Sequence, residues 1–296
     1  MEASQAALPV SGVKQVLADY VTLTKPKVQL LLLLTTITTM YVAGDPSPGL
    51  VAITVVGGFL SAGGAGAFNH FYDRDIDAAM ARTASRPVPS GRISPRAALL
   101  YAFALQIASF VILATAANLL SAFLALAGFV WYTVVYTVWL KRRSPQNIVI
   151  GGAAGAIPPL VGWAAVTGSV APAALYLFAI VFYWTPPHFW ALSLLMKDEY
   201  ARVGVPMMPV VHGEVETRRQ IVLYTFLLTV LTLLPFVFGF FGVIYAIFAV
   251  GLGAAFITLS LRLQRRADRK SALRTYLFSL GYLAVLFVAM VLDAQL

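Results

Sequence analysis

The chain has 296 residues, 60% of them hydrophobic and only 11% charged, with a mean hydropathy of +0.83. Soluble globular domains carry about 25% charged residues, so this composition excludes a soluble fold and points to the bilayer. The net charge of +9 does not mark a nucleic-acid binder, because all 21 Lys and Arg fall in the N-terminal segment and four loops. Cysteine is absent, which excludes a disulfide framework, a thiolate nucleophile and a Cys-based metal site.

A hydrocarbon core about 30 Å thick takes about 20 apolar residues per helical crossing. Windows of that length predict nine spans, at 26–44, 49–70, 97–115, 119–140, 148–166, 170–195, 219–238, 241–261 and 273–292. The fold class is therefore all-α, a polytopic membrane bundle forming a single integral-membrane domain over 1–296. Residues 1–24 lack the basic run, short apolar core and small-residue cleavage site of a removable signal peptide, and read as a cytoplasmic N-terminal segment. Basic residues occupy 14–27, 74–96, 141–143, 197–219 and 262–274, alternating with short loops and a C-terminus that have none. The positive-inside rule places the N-terminus and the basic loops in the cytoplasm and the C-terminus outside, which requires an odd number of spans.

Along the chain, the second span is rich in glycine (Gly57, Gly58, Gly63, Gly64, Gly66), as is the fifth (Gly151, Gly152, Gly155, Gly162). In lipid such residues let helices approach closely. The pairs Pro158-Pro159 and Pro186-Pro187 predict helices bent around a cavity, since proline frees backbone carbonyls that protein or water must satisfy. Of the cytoplasmic loops, 71–96 and 197–218 are long, mix acids with bases and contain Pro and Gly. Each follows the second helix of a hairpin and opens on an aspartate, Asp73 or Asp198, the pattern of a diverged internal repeat.

In the first of these loops Asn69, Asp73 and Asp77 recur every four residues, so a helix would carry all three within about 80° of one face. Asp75 points the other way, toward Arg74 or solvent. Two carboxylates and an amide oxygen on one stripe repel unless a cation lies between them, and hard oxygen ligands suit Mg²⁺, which completes its shell with water and substrate phosphate. A solvated acidic turn is the plainer alternative. Downstream, Arg82 and Arg86 precede a rigid Pro87-Val-Pro89-Ser-Gly91 stretch, which suits guanidinium forks held over a phosphate; Arg92 and Arg96 read as cytoplasmic anchors.

This series of Asn69, Asp73, Asp77, Arg82, Arg86-Pro87 and Pro89-x-Gly91 resembles the first signature of the UbiA superfamily of intramembrane prenyltransferases, and the resemblance extends over nearly the whole chain. It implies a helical bundle with a cytoplasm-facing cavity, a Mg²⁺-bound isoprenyl diphosphate and a lateral opening to lipid. The second signature departs from the superfamily: Lys197-Asp198-Glu199-Tyr200-Ala-Arg202 has an arginine where a second aspartate is usual. Asp198 is left as the expected counterpart of the first cluster, with Lys197 and Arg202 beside the diphosphate. Lys141 follows Tyr136 by five residues where several branches have four, which leaves the role of Tyr136 open while keeping Lys141 as a diphosphate contact.

These departures, with the segments 141–152 around Asn147, 157–163 and Trp184-Thr-Pro-Pro-His188-Phe-Trp190, resemble the heme-farnesylating branch. That resemblance implies transfer of a farnesyl group from farnesyl diphosphate to a vinyl group of heme B, with Asp73, Asp77 and Asp198 catalytic through Mg²⁺. His188, Trp184 and Trp190 would contact heme, and the product would pass to a further heme-modifying enzyme or a terminal oxidase in a bacterial cell membrane. His188 lies about 13 Å inside Lys197 on an ideal helix, where a polar imidazole in lipid points to a function; its alternative is a hydrogen bond to a carbonyl freed by Pro186 or Pro187. His70 and His212 read as loop residues, solvated or outside direct contact. Rival acceptors are a quinone precursor or chlorophyllide, and a secondary transporter is the rival of another class.

Overall fold

The computed structural model describes residues 12–296; the first eleven residues of the expected N-terminal segment lie outside the described residues. Helices α1 (Val13–Leu23) and α2 (Pro26–Ala43) are followed by α3 (Pro48–Tyr72), α4 (Arg74–Ala79) and α5 (Pro95–Ala116). The starts of α3 and α5 have one local cause. Ser47 and Ser94 cap them, each hydroxyl accepting a backbone N–H at 3.2 Å from Leu50 or Ala97, and a proline sits in the first turn, where its missing N–H costs nothing. α6 (Leu119–Val130) runs without interruption into a π-helix, Trp131–Leu140. α7 (Asn147–Gly151) and α8 (Ala153–Thr167) make the next crossing, then α9 (Pro172–Leu195); α10 (Lys197–Arg202) and α11 (Met208–Val211) lie in the second long loop. α12 (Gly213–Val237), α13 (Val243–Arg266) and α14 (Arg269–Ala294) complete the chain, and among the described residues no strand forms.

Eight of the nine expected spans are long and apolar enough to cross a membrane among the described residues, and the protein is an integral, multi-pass membrane protein. α9 is the exception. It has the length, 24 residues, but the run from Tyr183 to His188 dilutes its apolar character. Its neighbours shield it: Leu177, Ile180 and Val181 are buried in the main core with Tyr245, Phe256 and Phe287. A helix covered by protein can carry polar groups that a lipid-facing one cannot. α12 starts at Gly213 rather than 219, since Arg218 pairs with Glu214 at 3.1 Å one turn away and extends the helix into water.

Glycine works as expected where helices touch. A Cβ on Gly64 would lie 2.7 Å from the Ala102 carbonyl oxygen in α5, and one on Gly162 would lie 2.5 Å from that of Thr36 in α2. The proline pairs do not interrupt their helices: Pro158 and Pro159 lie inside α8, and Pro186 and Pro187 inside α9. The discontinuity of that region falls instead at Gly152, between α7 and α8, where a side chain would press on Thr185 and the Ile148 carbonyl at 2.9 Å.

Candidate active site

The Asn69 stripe survives the change of helix. Asp73 ends α3 with its N–H donated to the Asn69 carbonyl at 2.9 Å, and Asp77 in α4 donates its own to the Asp73 carbonyl at 2.8 Å. The i to i−4 ladder thus carries three polar side chains off the end of the span on one side. All three are buried, with exposures of 3%, 0% and 4%. Asn69 Nδ2 donates to Asp73 Oδ2 at 2.5 Å, so its Oδ1 faces outward to accept from Lys25 Nζ, also at 2.5 Å.

Each carboxylate has its own cation. Lys141 forms a tight ion pair with Asp73, and Arg86 Nη1 lies 2.7 Å from Asp77 Oδ2. The loop is folded to deliver that arginine: Thr83 Oγ1 donates to the Asp77 carbonyl at 2.9 Å, and Arg86 N–H to the Thr83 carbonyl at 3.0 Å. Asp75 points away, as its place on the helix requires. Its partner is Arg142, gripped through both guanidinium nitrogens at 2.7 Å, and that hydrogen bonding pulls its pKa down to about 2. Arg74, the expected partner, instead lies 5.0 Å from the Phe71 ring centroid. Arg92 ties the loop to α1 through Asp19 at 3.0 Å, an anchoring role.

These groups enclose a cavity of about 120 Å³, some four times the ~30 Å³ share of one water. That is room for a compact anionic head. Asn69, Asp77, Lys25, Arg82, Arg86 and Lys141 all line it. With Asp73 behind Lys141, four cations face two carboxylates, an excess of positive charge that suits a polyanion.

Lys25 is the residue that sequence reasoning missed. It stands just before Pro26 in a left-handed conformation, φ 53° and ψ 54°, which a side chain rarely adopts and which here aims the ammonium at Asn69. Burial first, then Arg86 and Lys141, brings its pKa down to about 7. The available signal was a lysine between Thr24 and the proline that opens the first span, but nothing local pairs it with a residue in the next helix.

The five-residue spacing of Tyr136 and Lys141 also finds its reason. The helix carrying them is π, and Lys141 N–H donates to the Tyr136 carbonyl at 2.8 Å, five residues back. A π turn absorbs one more residue than an α turn, so both side chains, and Tyr132, reach the same cavity. Gly151 allows this, because any side chain there would collide with the Tyr136 ring.

The second loop contributes differently from the expectation. Asp198 is exposed on α10 and is not part of the cavity wall, and no group of three His, Asp or Glu able to hold a metal forms among the described residues. Lys197 pairs with Glu214 at 3.1 Å, and Arg202 is exposed. On a six-residue helix one face alone can turn inward, and the residue on that face is Tyr200, which lines the cavity; burial raises its pKa, so it stays a neutral phenol that can donate. Glu199 buries Oε2 without a partner. Asn147 is buried with Nδ2 donating to the Ser144 carbonyl at 2.7 Å, a loop-closing role.

His188 is 6% exposed, and its Nδ1 lies 2.7 Å from Ser279 Oγ in α14; no proline-freed carbonyl is its partner. Trp184 stacks on it with centroids 4.3 Å apart. Trp190 is fully buried, edge-on to Tyr224 at 5.1 Å, so it is a packing residue closed to any ligand. His70 lies in α3 and is 1% exposed with Nδ1 unpartnered, so of its two readings the solvated one is overturned and a place outside direct contact is left; His212 is exposed.

The architecture is a bundle of membrane helices with a small, cation-rich pocket at one end. The chain belongs to the UbiA prenyltransferase family, whose sequence model matches residues 32–287. It is 55% identical over 286 residues, 96% of its length, to a protoheme IX farnesyltransferase of Roseiflexus sp. strain RS-1, and spans 54% of that relative. The chain thus spans about half the length of the first curated relatives it matches. A protoheme IX farnesyltransferase of Gloeobacter violaceus is 50% identical over 294 residues, covering 98% of this chain and 96% of that one. The fold is shared with a UbiA homolog from Archaeoglobus fulgidus bound to DMAPP and Mg²⁺, at a TM-score of 0.67 and 17% identity over 92% of this chain and 99% of the other.

Proposed function

We propose that the protein transfers the farnesyl group of farnesyl diphosphate to a vinyl group of heme B, giving heme O, at the cytoplasmic face of a bacterial cell membrane. The observation that carries the donor half is the buried stripe of Asn69, Asp73 and Asp77 under four cations. Identity of about half the residues along the whole Gloeobacter relative supports the acceptor.

The donor set fits Mg²⁺, which uses one or two carboxylates and fills its shell with phosphate and water: Asn69, Asp73 and Asp77 supply hard oxygens that ammonium and guanidinium groups already contact. Mg²⁺ held by these residues would offset the negative charge of the diphosphate and so would make it a better leaving group. Arg82, Arg86 and Lys141 place fixed positive charge where negative charge builds as the carbon–oxygen bond breaks, and a bound anion draws Lys25 to its charged form. Asp73 and Asp77 hold Lys141 and Arg86 in place, and Tyr200 donates from the second loop. Tyr132 and Tyr136 wall the pocket beside the breaking bond, where aromatic faces stabilise positive charge and keep water from the allylic cation. The vinyl carbon attacks that cation, water captures the resulting cation on the heme side, and a proton leaves to solvent. The balance is heme B plus farnesyl diphosphate plus water giving heme O plus diphosphate.

Purified protein in detergent, given Mg²⁺, farnesyl diphosphate and heme B, is expected to form a heme heavier by one farnesyl group and one hydroxyl, detected by mass. No such product, or the same product without a divalent cation, overturns the reading.

A further inference from the structure

Ser279, which nothing in the sequence singles out, joins α9 to α14 by two hydrogen bonds and makes a third within α14. Its carbonyl accepts from Trp184 Nε1 at 2.7 Å, its hydroxyl donates to the Tyr276 carbonyl at 2.6 Å, and its Oγ lies 2.7 Å from His188 Nδ1. Ser279 is fully buried, so no solvent competes for these bonds.

The proton count constrains the histidine. A carbonyl can only accept, and a hydroxyl has a single proton. Both contacts of the hydroxyl are made at once only when its proton goes to the Tyr276 carbonyl and Oγ accepts from the ring, which puts the hydrogen on Nδ1 of His188 and the lone pair on Nε2. Nε2 has no hydrogen bond among the described residues and is not among the fully sealed unpartnered atoms, so it keeps a free edge. The faces of the ring are taken: Trp184 stacks at 4.3 Å and 19°, Tyr276 at 4.9 Å and 30°. A ligand can meet this imidazole only end-on, at its edge.

These constraints separate the two roles open to His188 toward a heme acceptor. A propionate needs a donor, and the one N–H of the neutral ring is spent on Ser279. A ring presenting a bare Nε2 edge-on, with its other nitrogen held by a hydrogen bond, has the form of a metal-ligating histidine. We propose that Ser279 is a positioning residue that locks His188 in the Nδ1–H tautomer, so that Nε2 serves as an axial ligand to the iron of the heme substrate. The ligand role rests on the proposed acceptor; the tautomer does not.

The chain has three histidines, so ¹⁵N-histidine NMR of the purified protein, compared with His188→Ala, isolates the His188 signals. Wild type is expected to show Nδ1 protonated and Nε2 bare, Ser279→Ala to lose that preference, and Ser279→Thr to restore it. In parallel, ferric heme B titrated by its Soret band and by resonance Raman is expected to show histidine ligation lost in His188→Ala and affinity ~10–100-fold weaker in Ser279→Ala. Mg²⁺-dependent binding of inorganic diphosphate should stay as in wild type in all three variants. An unchanged tautomer and heme affinity in Ser279→Ala, with ligation lost in His188→Ala, overturns the serine's role and leaves the acceptor standing. Wild-type protein that binds no heme overturns the acceptor and the ligand role together.

Discussion

The two long loops begin alike and end differently. Each opens with a six-residue helix at the foot of a buried span, α4 after α3 and α10 after α9. In the first, the backbone ladder runs through the junction, and Asp73 and Asp77 stay in register with Asn69. In the second, Met196 closes α9 with its N–H given to the Ser193 carbonyl three residues back, a tighter turn, and Asp198 faces solvent while Tyr200 faces the cavity. Similar sequences therefore give a charged wall on one side and a phenol on the other. The lesson is that an aspartate at a helix start says little until the register across the preceding junction is known.

The comparison can be broken at four strengths. Asp73→Asn or Asp77→Asn should lower kcat/KM for farnesyl diphosphate by about 10²–10³-fold, with the Mg²⁺ requirement raised, as measured by heme product formed over a Mg²⁺ titration. Lys25→Ala should cost about 10²-fold, read mainly as a weaker KM for the diphosphate, with KM for heme unchanged. Tyr200→Phe removes one donor to an anion and should cost about tenfold. Asp198→Asn should change neither activity nor melting temperature by more than ~0.5 kcal/mol equivalent. An Asp198 effect as large as that of Asp73 would show that the second loop turns over when substrate binds and would erase the asymmetry.

Much of this was legible in the sequence because it is local and periodic. Apolar windows of span length located the helices, and a four-residue repeat put Asn69, Asp73 and Asp77 together while sending Asp75 to the opposite side. The rest depended on distance along the chain. Lys25 meets Asn69 across 44 residues and His188 meets Ser279 across 91, through helix packing that no local pattern encodes. The left-handed Lys25 and the π-helix were hidden for another reason: both are departures from the regular backbone that periodicity assumes. Trp190 shows the limit of residue type, since an aromatic in a motif is equally at home in a core.

The wide turn between Trp131 and Leu140 has a consequence for anyone comparing this chain with its relatives. It accommodates one more residue per turn than an α-helix does, so Tyr136 and Lys141, five residues apart, still line one cavity. A spacing rule of tyrosine, then lysine four places on, would discard this chain as a mismatch. In three dimensions the two residues still share one pocket, and the helix has taken up the difference as slack.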